Sequence, residues 1–491
     1  MLFNSYIFVL LFLPLVLLGY FGFNRLKLYD IAKIFLIAMS LVFYGYYNPY
    51  YLLIIVTSVI FNYTFSLIML SDKIGNAVRK GVFGLSLTLN IGSLFYFKYF
   101  DFFIYNINTL FKTSFPFLNI ALPLGISFFT FQQLSYVIDS YNKDESVKKY
   151  NFFDYTLFVT YFPQLIAGPI VTHDEMVPQF ADLSKKRFNP DNFAKGIYAF
   201  AIGLGKKVII ADSLGLLVDT SFANISGLGT VKAFLTMLAY TFQIYFDFSG
   251  YCDMATGIGK MMNIDITMNF NSPYKAIGIV DFWKRWHITL TRFFTKYIYI
   301  PLGGNRKGNI RTYINILIVF FVSGIWHGAN WTFIVWGLLH GIANIITRII
   351  DKRTGLFSKS KNRVVRAFLW FVTFAFINLT WVIFRSDSLQ QSGQFYRQLL
   401  NYNGFGFLSR IGKTIYAGGF DLIGQIIPEF TVFAPLCIFT FAFVASVFMK
   451  NTYERIENFK PTLAKAIFTA SILFWCIMSF AGVSSFLYWN F

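Results

Sequence analysis

Hydrophobic residues along this chain are gathered into long runs that short polar breaks separate. A helix that crosses a bilayer needs about 20 mainly apolar residues. The pattern predicts an all-α, polytopic integral membrane protein with about 11 to 13 membrane segments in a single domain, residues 1–491. The predicted segments lie near residues 6–23, 34–50, 51–70, 81–100, 118–140, 152–172, 195–222, 230–250, 311–326, 329–350, 367–386, 431–449 and 464–487. The first run follows no basic stretch and precedes no small-residue cleavage site, so we interpret it as a retained span and not a signal peptide.

Basic residues cluster in the breaks, as the positive-inside rule predicts for cytoplasmic loops. The first two basic breaks are separated by two apolar runs and the uncharged turn Asn48–Tyr50, which places the N-terminus outside. The basic breaks are Arg25 to Lys33, Lys73 to Lys80, Lys143 to Lys149, Lys185 to Arg187, Lys352 to Arg366 and Lys450 to Lys465.

One interval does not fit a simple span. The breaks at 143–149 and 185–187 are both predicted to be cytoplasmic, yet one apolar run separates them, and it contains Pro163 and Pro169. Irregular backbone at membrane depth is tolerated only inside protein or beside a cavity. We therefore predict that 152–172 is a broken or re-entrant element; the alternative is a plain kinked span.

Residues 251–310 are rich in Lys, Arg, Trp, Tyr and Gly and are too polar to face lipid. This composition is typical of amphipathic helices at the membrane interface, or of helices that line a wet cavity.

Composition narrows the class of protein. Hydrophobic residues make up 56% of the chain and charged residues 13%, against about 25% charged in soluble domains. The net charge of +19 would suggest nucleic-acid binding in a soluble protein, but here the charge lies in loops, so no nucleic-acid partner is expected. The cysteines Cys252, Cys437 and Cys476 form no CxxC pair, and we expect neither a metal site nor a disulfide.

His327 is the first candidate for chemistry. It lies between two apolar runs in the sequence Gly324–Trp331, and an ionisable group at membrane depth is a functional candidate by default. Asn330, three residues on, would share a helical face with His327 and orient its ring. The alternative is a structural histidine that bonds a neighbouring helix.

The other histidines carry weaker signals. His287 follows Lys284 and Arg285, which could bind an anionic substrate or, with Trp286, form an interfacial anchor. His340 would point roughly 140° away from His327 on one helix, so we predict that it packs in the core or supports the residues of the site from behind. His173, beside two acidic residues, is predicted to be solvated in a loop.

Asp247 and Asp253 directly follow an apolar run and need a cation or hydrogen-bond donors. We expect structural pairing, with Lys260 as one partner for Asp253. The hydrolase elbow, HExxH, the Walker loop and the dinucleotide motif are absent from the sequence, so those classes lack support.

Seven motifs together resemble the membrane-bound O-acyltransferases, of the type that O-acetylates alginate or peptidoglycan. They keep that family's order across about 120–340, whereas 387–430, with Gly404 to Gly406 and Gly418–Gly419, matches no assigned feature. The motifs are Pro123–Phe131, Phe162–Pro169, Tyr245–Tyr251, Asn269–Tyr274, Phe282–His287, Tyr299–Arg306 and Trp326–Trp331.

The resemblance implies that His327 is the catalytic histidine and His287 the second characteristic histidine. It also implies a deep central cavity, no bound cofactor or metal, and an acyl thioester donor such as acetyl-CoA on the cytoplasmic side. The residues expected to bind substrate are Arg285, Trp286, Trp326 and Asn330.

The expected function is therefore acyl transfer, most simply of acetyl, across the cytoplasmic (inner) membrane for O-acetylation of an extracytoplasmic polysaccharide. Membrane lipid surrounds the chain, and an SGNH-like acetyltransferase on a separate chain would complete the transfer. Two alternatives remain open: D-alanyl transfer to teichoic acid, and a proton-coupled transporter.

Overall fold

The computed structural model describes residues 1–401, 430–480 and 487. Helices account for every regular element in this part of the chain, which confirms the all-α prediction. The chain forms two compact units, which alternate along the sequence: the first holds 1–200 and 254–267, and the second holds 201–253 and the described residues from 268 onward. The prediction of one domain stays a prediction.

The first unit begins with four long helices and continues with shorter ones. Its helices are α1 (Phe8–Arg25), α2 (Tyr29–Gly45), α3 (Tyr50–Leu70), α4 (Asn76–Leu94), α5 (Phe100–Phe111), α6 (Ile126–Asn142), α7 (Phe152–Thr160), α8 (Phe162–Leu165) and α9 (His173–Ala181). Helix α10 (Pro190–Gly205) starts in this unit and ends in the second.

The second unit contains the remaining helices. They are α11 (Asp212–Ala223), α12 (Gly229–Met261), whose last residues belong to the first unit, α13 (Ile279–Arg285), α14 (Ile288–Phe294), α15 (Gly308–His327), α16 (Trp331–Thr354), α17 (Arg363–Arg385), α18 (Leu389–Gln398), α19 (Phe430–Val447), α20 (Thr452–Glu457) and α21 (Leu463–Met478). A π-helical turn, Lys206–Ala211, joins α10 to α11.

Five of the described helices, α1, α3, α15, α16 and α17, are long and apolar enough to cross a membrane. The other predicted spans overlap helices, although the helix predicted at 118–140 begins only at Ile126, the interval 152–172 is broken, and residues 481–486 of the last span lie outside the described residues. The protein is thus a multi-pass membrane protein, and the total of 11 to 13 segments stays a prediction. The feature noted at 404–419 lies outside the described residues.

The interval 152–172 is a broken element, as predicted. Helix α7 ends at Thr160, Tyr161 takes a non-helical ψ of 107°, and α8 runs for only four residues. Residues 155–171 are buried, so the irregular backbone is inside protein.

Helices α15 and α16 pack backbone against backbone. A Cβ atom on Gly324 would lie 2.5 Å from the carbonyl oxygen of Phe333, and one on Gly337 would lie 2.4 Å from that of Phe320. Small residues permit this approach, which is how membrane helices gain contact without a hydrophobic driving force. The glycines therefore fix the helix pair that carries His327 and His340.

Candidate active site

The site is centred on the break between α15 and α16. His327 is the last residue of α15, and Gly328 continues in an extended conformation, with φ −176° and ψ 155°. Asn330 then caps α16, its side chain accepting the backbone N–H of Thr332. The break places His327 at a helix end instead of in the middle of a long helix.

The tautomer of His327 follows from its neighbours. Its Nδ1 atom lies 2.6 Å from the carbonyl oxygen of Ser323, one helical turn earlier. A carbonyl oxygen only accepts hydrogen bonds, so Nδ1 must carry the proton. In the neutral ring, Nε2 then carries the lone pair and can accept a proton.

Aromatic rings enclose the His327 side chain, which is 2% exposed. Its ring centroid lies 4.9 Å from that of Trp326, 5.0 Å from Trp336 and 5.4 Å from Phe384, all edge to face. This apolar enclosure favours an uncharged imidazole.

His287 lies in the connection between α13 and α14, with a φ of +45° that is rare outside glycine. Its Nδ1 atom lies 3.1 Å from Oδ1 of Asn269. That oxygen also accepts the backbone N–H of Thr289, at 3.2 Å, so the amide of Asn269 turns its acceptor atom towards His287. Nδ1 of His287 is therefore the donor, and its Nε2 is a buried lone pair without a partner among the described residues.

The two imidazoles flank one indole. The centroid of Trp326 lies 5.9 Å from that of His287 and 4.9 Å from that of His327. Burial, and then the positive charge that protonation of His327 would bring nearby, holds the pKa of His287 well below its usual 6.5, so the His287 ring is neutral. Nδ1 of each ring lies within hydrogen-bond distance of an oxygen acceptor.

The other residues predicted for the site, Trp286, Arg285 and Asn330, have different surroundings. Trp286 is fully buried, and its ring centroid lies 5.0 Å from that of Trp381. Arg285 forms an ion pair with Asp281, Nε to Oδ1 at 2.9 Å, at the wall of a charged cavity. Asn330 does not orient His327, because its amide donates to the carbonyl of Asp387; the expectation of a shared helical face was wrong, since the helix breaks at Gly328.

His340 is a packing residue, as predicted. Its Nδ1 accepts the indole N–H of Trp283 at 3.2 Å, and its Nε2 donates to the hydroxyl of Thr380 at 3.0 Å. Both nitrogens are thereby used, and the ring supports the Trp336 indole at 5.0 Å between centroids.

A charged cavity of about 580 Å³ lies beside α13. Six cations and two carboxylates line it, and we call it the basic cavity. The cations are Lys275, Lys284, Arg285, Arg348, Lys352 and Arg366. Two of them, Lys352 and Arg366, belong to the break at 352–366 that is predicted to be cytoplasmic.

A second, mainly apolar cavity of about 200 Å³ continues from the basic cavity and shares Val280, Lys284 and Arg348 with it. We call it the apolar channel. It extends to Ser323, whose carbonyl accepts from His327. The His327 ring itself lines neither of these two cavities, and the apolar channel ends at Ser323, one helical turn away. The expected deep central cavity stays a prediction.

The two carboxylates after the apolar run are paired, but not as expected for Asp253. Asp247 binds Lys207, Oδ1 to Nζ at 2.7 Å, and Asp253 binds Lys206, Oδ2 to Nζ at 2.6 Å. Lys260 instead pairs with Asp265. Lys206 and Lys207 lie in the π-helical turn, which sequence spacing did not relate to α12.

His173 was predicted to be solvated, and that prediction was wrong. Its side chain is fully buried in the first unit, between Asp139, with Nε2 to Oδ2 at 3.2 Å, and the hydroxyl of Tyr150, 3.1 Å from Nδ1. Asp139 lies 34 residues earlier in the chain, beyond the reach of local pattern.

The second unit thus holds two buried histidines beside one indole, with two adjoining cavities near them. The model of the membrane-bound O-acyltransferase family matches residues 41–385. The chain belongs to this family and is an acyltransferase.

Individual relatives agree. The chain is 39% identical to a peptidoglycan O-acetyltransferase of Helicobacter pylori, over 100% of this chain and 98% of the relative. It is 38% identical to a probable alginate O-acetylase of Pseudomonas aeruginosa, over 82% of this chain and 75% of the relative. A teichoic acid D-alanyltransferase of Streptococcus thermophilus is 24% identical, over 53% of this chain and 68% of the relative.

Proposed function

We propose that this acyltransferase moves an acetyl group from a cytoplasmic thioester across the cell's inner (cytoplasmic) membrane for O-acetylation of an extracytoplasmic polysaccharide. The final acceptor of the acetyl group is peptidoglycan or an alginate-like polymer. The support is the similarity along the whole chain to a peptidoglycan O-acetyltransferase and along most of it to an alginate O-acetylase.

The hydrogen bond from Nδ1 of His327 to the Ser323 carbonyl carries the proposed chemistry. It leaves Nε2 as a base that takes the proton of the acceptor hydroxyl while that oxygen attacks the thioester carbonyl carbon. The carbon–sulfur bond then breaks, and the proton passes from the imidazolium to the leaving thiolate. A positioned base of this kind contributes roughly 10²–10⁴ in rate.

The developing oxyanion needs a donor beside the base. Trp336 is fully buried, lies 5.0 Å from His327 between ring centroids, and its indole N–H has no partner among the described residues. We assign this N–H to the carbonyl oxygen of the acyl group. Trp326 then separates His327 from His287 and forms a wall of the acyl site.

The two adjoining cavities suit a donor that is anionic at one end and carries a narrow apolar arm. Phosphates of acetyl-CoA would bind the cations of the basic cavity, and the pantetheine arm would follow the apolar channel to Ser323. The thioester reaches His327 only after the aromatic side chains around that ring rearrange, because His327 lines neither cavity.

His287 and Arg285 take positioning roles in this scheme. Arg285, held by Asp281, forms part of the basic cavity and contacts the donor's charged end. The Nε2 lone pair of His287 is buried with no partner among the described residues, and it accepts a hydrogen bond from another hydroxyl of the acceptor, not from the one that attacks. Trp286 and Asn330 remain predicted substrate contacts.

An SGNH-like acetyltransferase on a separate chain would pass the acetyl group to the sugar hydroxyls. The test uses purified protein in liposomes with acetyl-CoA inside and a soluble acceptor outside. Coupled release of free coenzyme thiol and external acetyl ester supports transfer. Movement of the intact thioester to the outside without release of free thiol would indicate a transporter instead. The same assay with a D-alanyl thioester inside and teichoic acid outside tests the alternative that the 24% relative suggests, and formation of D-alanyl ester would support that alternative.

A further inference from the structure

A third cavity of about 500 Å³ lies in the second unit, apart from the basic cavity and the apolar channel. We call it the lateral cavity. Helices α19 and α21 form much of its wall, together with the end of α10 and the π-helical turn after it. The apolar lining includes Ile202, Ile209, Phe246, Phe441, Ile472 and Trp475.

One end of the lateral cavity is cationic. Lys206, Lys450 and Arg455 line it, and no carboxylate occurs among its described lining residues. Asn451, Thr452 and Ser272 add polar groups at the same end. The cavity thus combines a long apolar body with a head that suits an anion.

The apolar body opens towards the lipid-facing surface. Phe441 and Phe468, which both line it, are 51% and 44% exposed. Lys450 and Arg455 lie in the break between α19 and α21, which is predicted to be cytoplasmic. Basic pockets between membrane helices on that side bind anionic lipid headgroups.

We propose that the lateral cavity binds one anionic phospholipid of the cytoplasmic leaflet. Its phosphate contacts Lys450 and Arg455, and its acyl chain occupies the space between Phe246, Phe441 and Ile472. Lys206 completes the head site while it remains paired with Asp253.

The bound lipid would also steady the second histidine. The amide of Asn451, at the head site, donates to Oδ1 of Asn271 at 3.0 Å, and Asn269 in the same segment holds the ring of His287. This consequence rests on the proposed function, whereas lipid binding itself does not.

The test is native mass spectrometry of the delipidated protein with dioleoylphosphatidylglycerol or dioleoylphosphatidylcholine. We expect one retained molecule of the anionic lipid. Retention should be about tenfold weaker after Lys450→Glu with Arg455→Glu, since each cation near an anionic lipid surface strengthens the binding by several fold. Lys460→Glu with Lys465→Glu is the matched control, because Lys460 lies in the same connection and Lys465 in the first turn of α21, and neither lines the cavity.

A second variant tests the apolar body without changing charge. Ala445→Trp fills the cavity and should remove the retained lipid. Equal retention of the two lipids, equal loss in the control pair, or binding of glycerol phosphate as tight as that of the whole lipid would overturn the proposal. So would a delipidated protein that takes up no lipid because another segment of the chain or a partner helix fills the cavity.

A separate experiment measures whether the bound lipid affects acetyl transfer. Adding phosphatidylglycerol to the delipidated enzyme should raise the acetyl-transfer rate in the wild type and not in Lys450→Glu with Arg455→Glu. If lipid is retained as predicted but no transfer occurs in any variant, the proposed function fails and the lipid site stands.

Discussion

The Nδ1 atom of His327 and the carbonyl oxygen of Ser323 lie 2.6 Å apart, joined across the last turn of α15. Because the acceptor is a main-chain carbonyl, the tautomer does not depend on a titratable partner. The backbone therefore presents Nε2 as the basic atom. Helix α15 ends at this residue, so the imidazole lies at a helix end, enclosed by the rings of Trp326, Trp336 and Phe384.

Asn269 should control the second histidine. Asn269→Leu removes the acceptor for Nδ1 of His287, and the loss of a buried hydrogen bond costs about 1–3 kcal/mol, or roughly 5- to 150-fold in rate. Asn269→Asp keeps the oxygen and should recover part of the activity. Initial rates of acetyl transfer in liposomes, per folded protein, provide the measurement.

Asn315→Ala is the control for that prediction. Asn315 is also fully buried in the second unit, and its amide donates to the carbonyl of Gly304 at 2.9 Å. It should lower thermal stability without a comparable loss of rate. If both asparagine variants lose rate equally, Asn269 has no specific role in the reaction.

Cations of the basic cavity should govern donor affinity. Lys352→Glu with Arg366→Glu should raise KM for acetyl-CoA at least about tenfold while kcat changes little, because the donor's phosphates bind there and the thioester does not. The effect should shrink as salt is added. Arg353→Glu with Lys361→Glu changes the same charge beside the cavity, outside its lining, and should leave KM unchanged. A fall in kcat at constant KM would contradict this assignment.

Aromatic packing around His327 should limit the acyl group to a small one. Phe384 lies 5.4 Å from His327 between ring centroids. Phe384→Val should raise the ratio of butyryl to acetyl transfer about tenfold or more, since one methylene in a fitted pocket is worth that much. Phe376→Val is the control, because Phe376 contacts His340 and no ring contact links it to His327. An unchanged ratio would show that another wall sets the size of the acyl group.

The buried ion cluster should matter for stability more than for chemistry. Lys207 is 3% exposed and pairs with Asp212 and Asp247, at 2.7 Å in each case. Lys207→Met leaves two buried carboxylates uncompensated and should cost about 3–5 kcal/mol. Lys185→Met, which removes a more exposed partner of Asp265, should cost about 1 kcal/mol or less. Thermal unfolding in detergent distinguishes the two variants, and equal shifts would contradict the comparison.

Hydropathy predicted the positions of the long helices, and single residues in the sequence indicated two local features of the structure. Pro163 indicated a broken element, and α7 does end just before it. His327 was identified because an ionisable side chain between two apolar runs is costly to bury and is therefore rare without a function. Both features depend on neighbouring residues in the sequence, so they could be predicted without knowledge of tertiary contacts.

Ion pairs and hydrogen bonds between residues far apart in the sequence could not be predicted in this way. Asp253 finds Lys206, 47 residues away, instead of the nearby Lys260, because a π-helical turn points that lysine at α12. His173 is buried by Asp139 and Tyr150, which the sequence does not connect to it. The predicted position of Asn330 on the helical face of His327 was wrong because α15 ends at His327 and the backbone is extended at Gly328.

Acetyl transfer by His327→Ala, measured in liposomes beside His340→Gln, tests the central claim most directly. Both variants should insert and fold, but only the loss of the His327 imidazole should reduce coenzyme release and external acetyl ester together by roughly 10²–10⁴. Transfer by His327→Ala at a rate near that of the wild type would contradict the account.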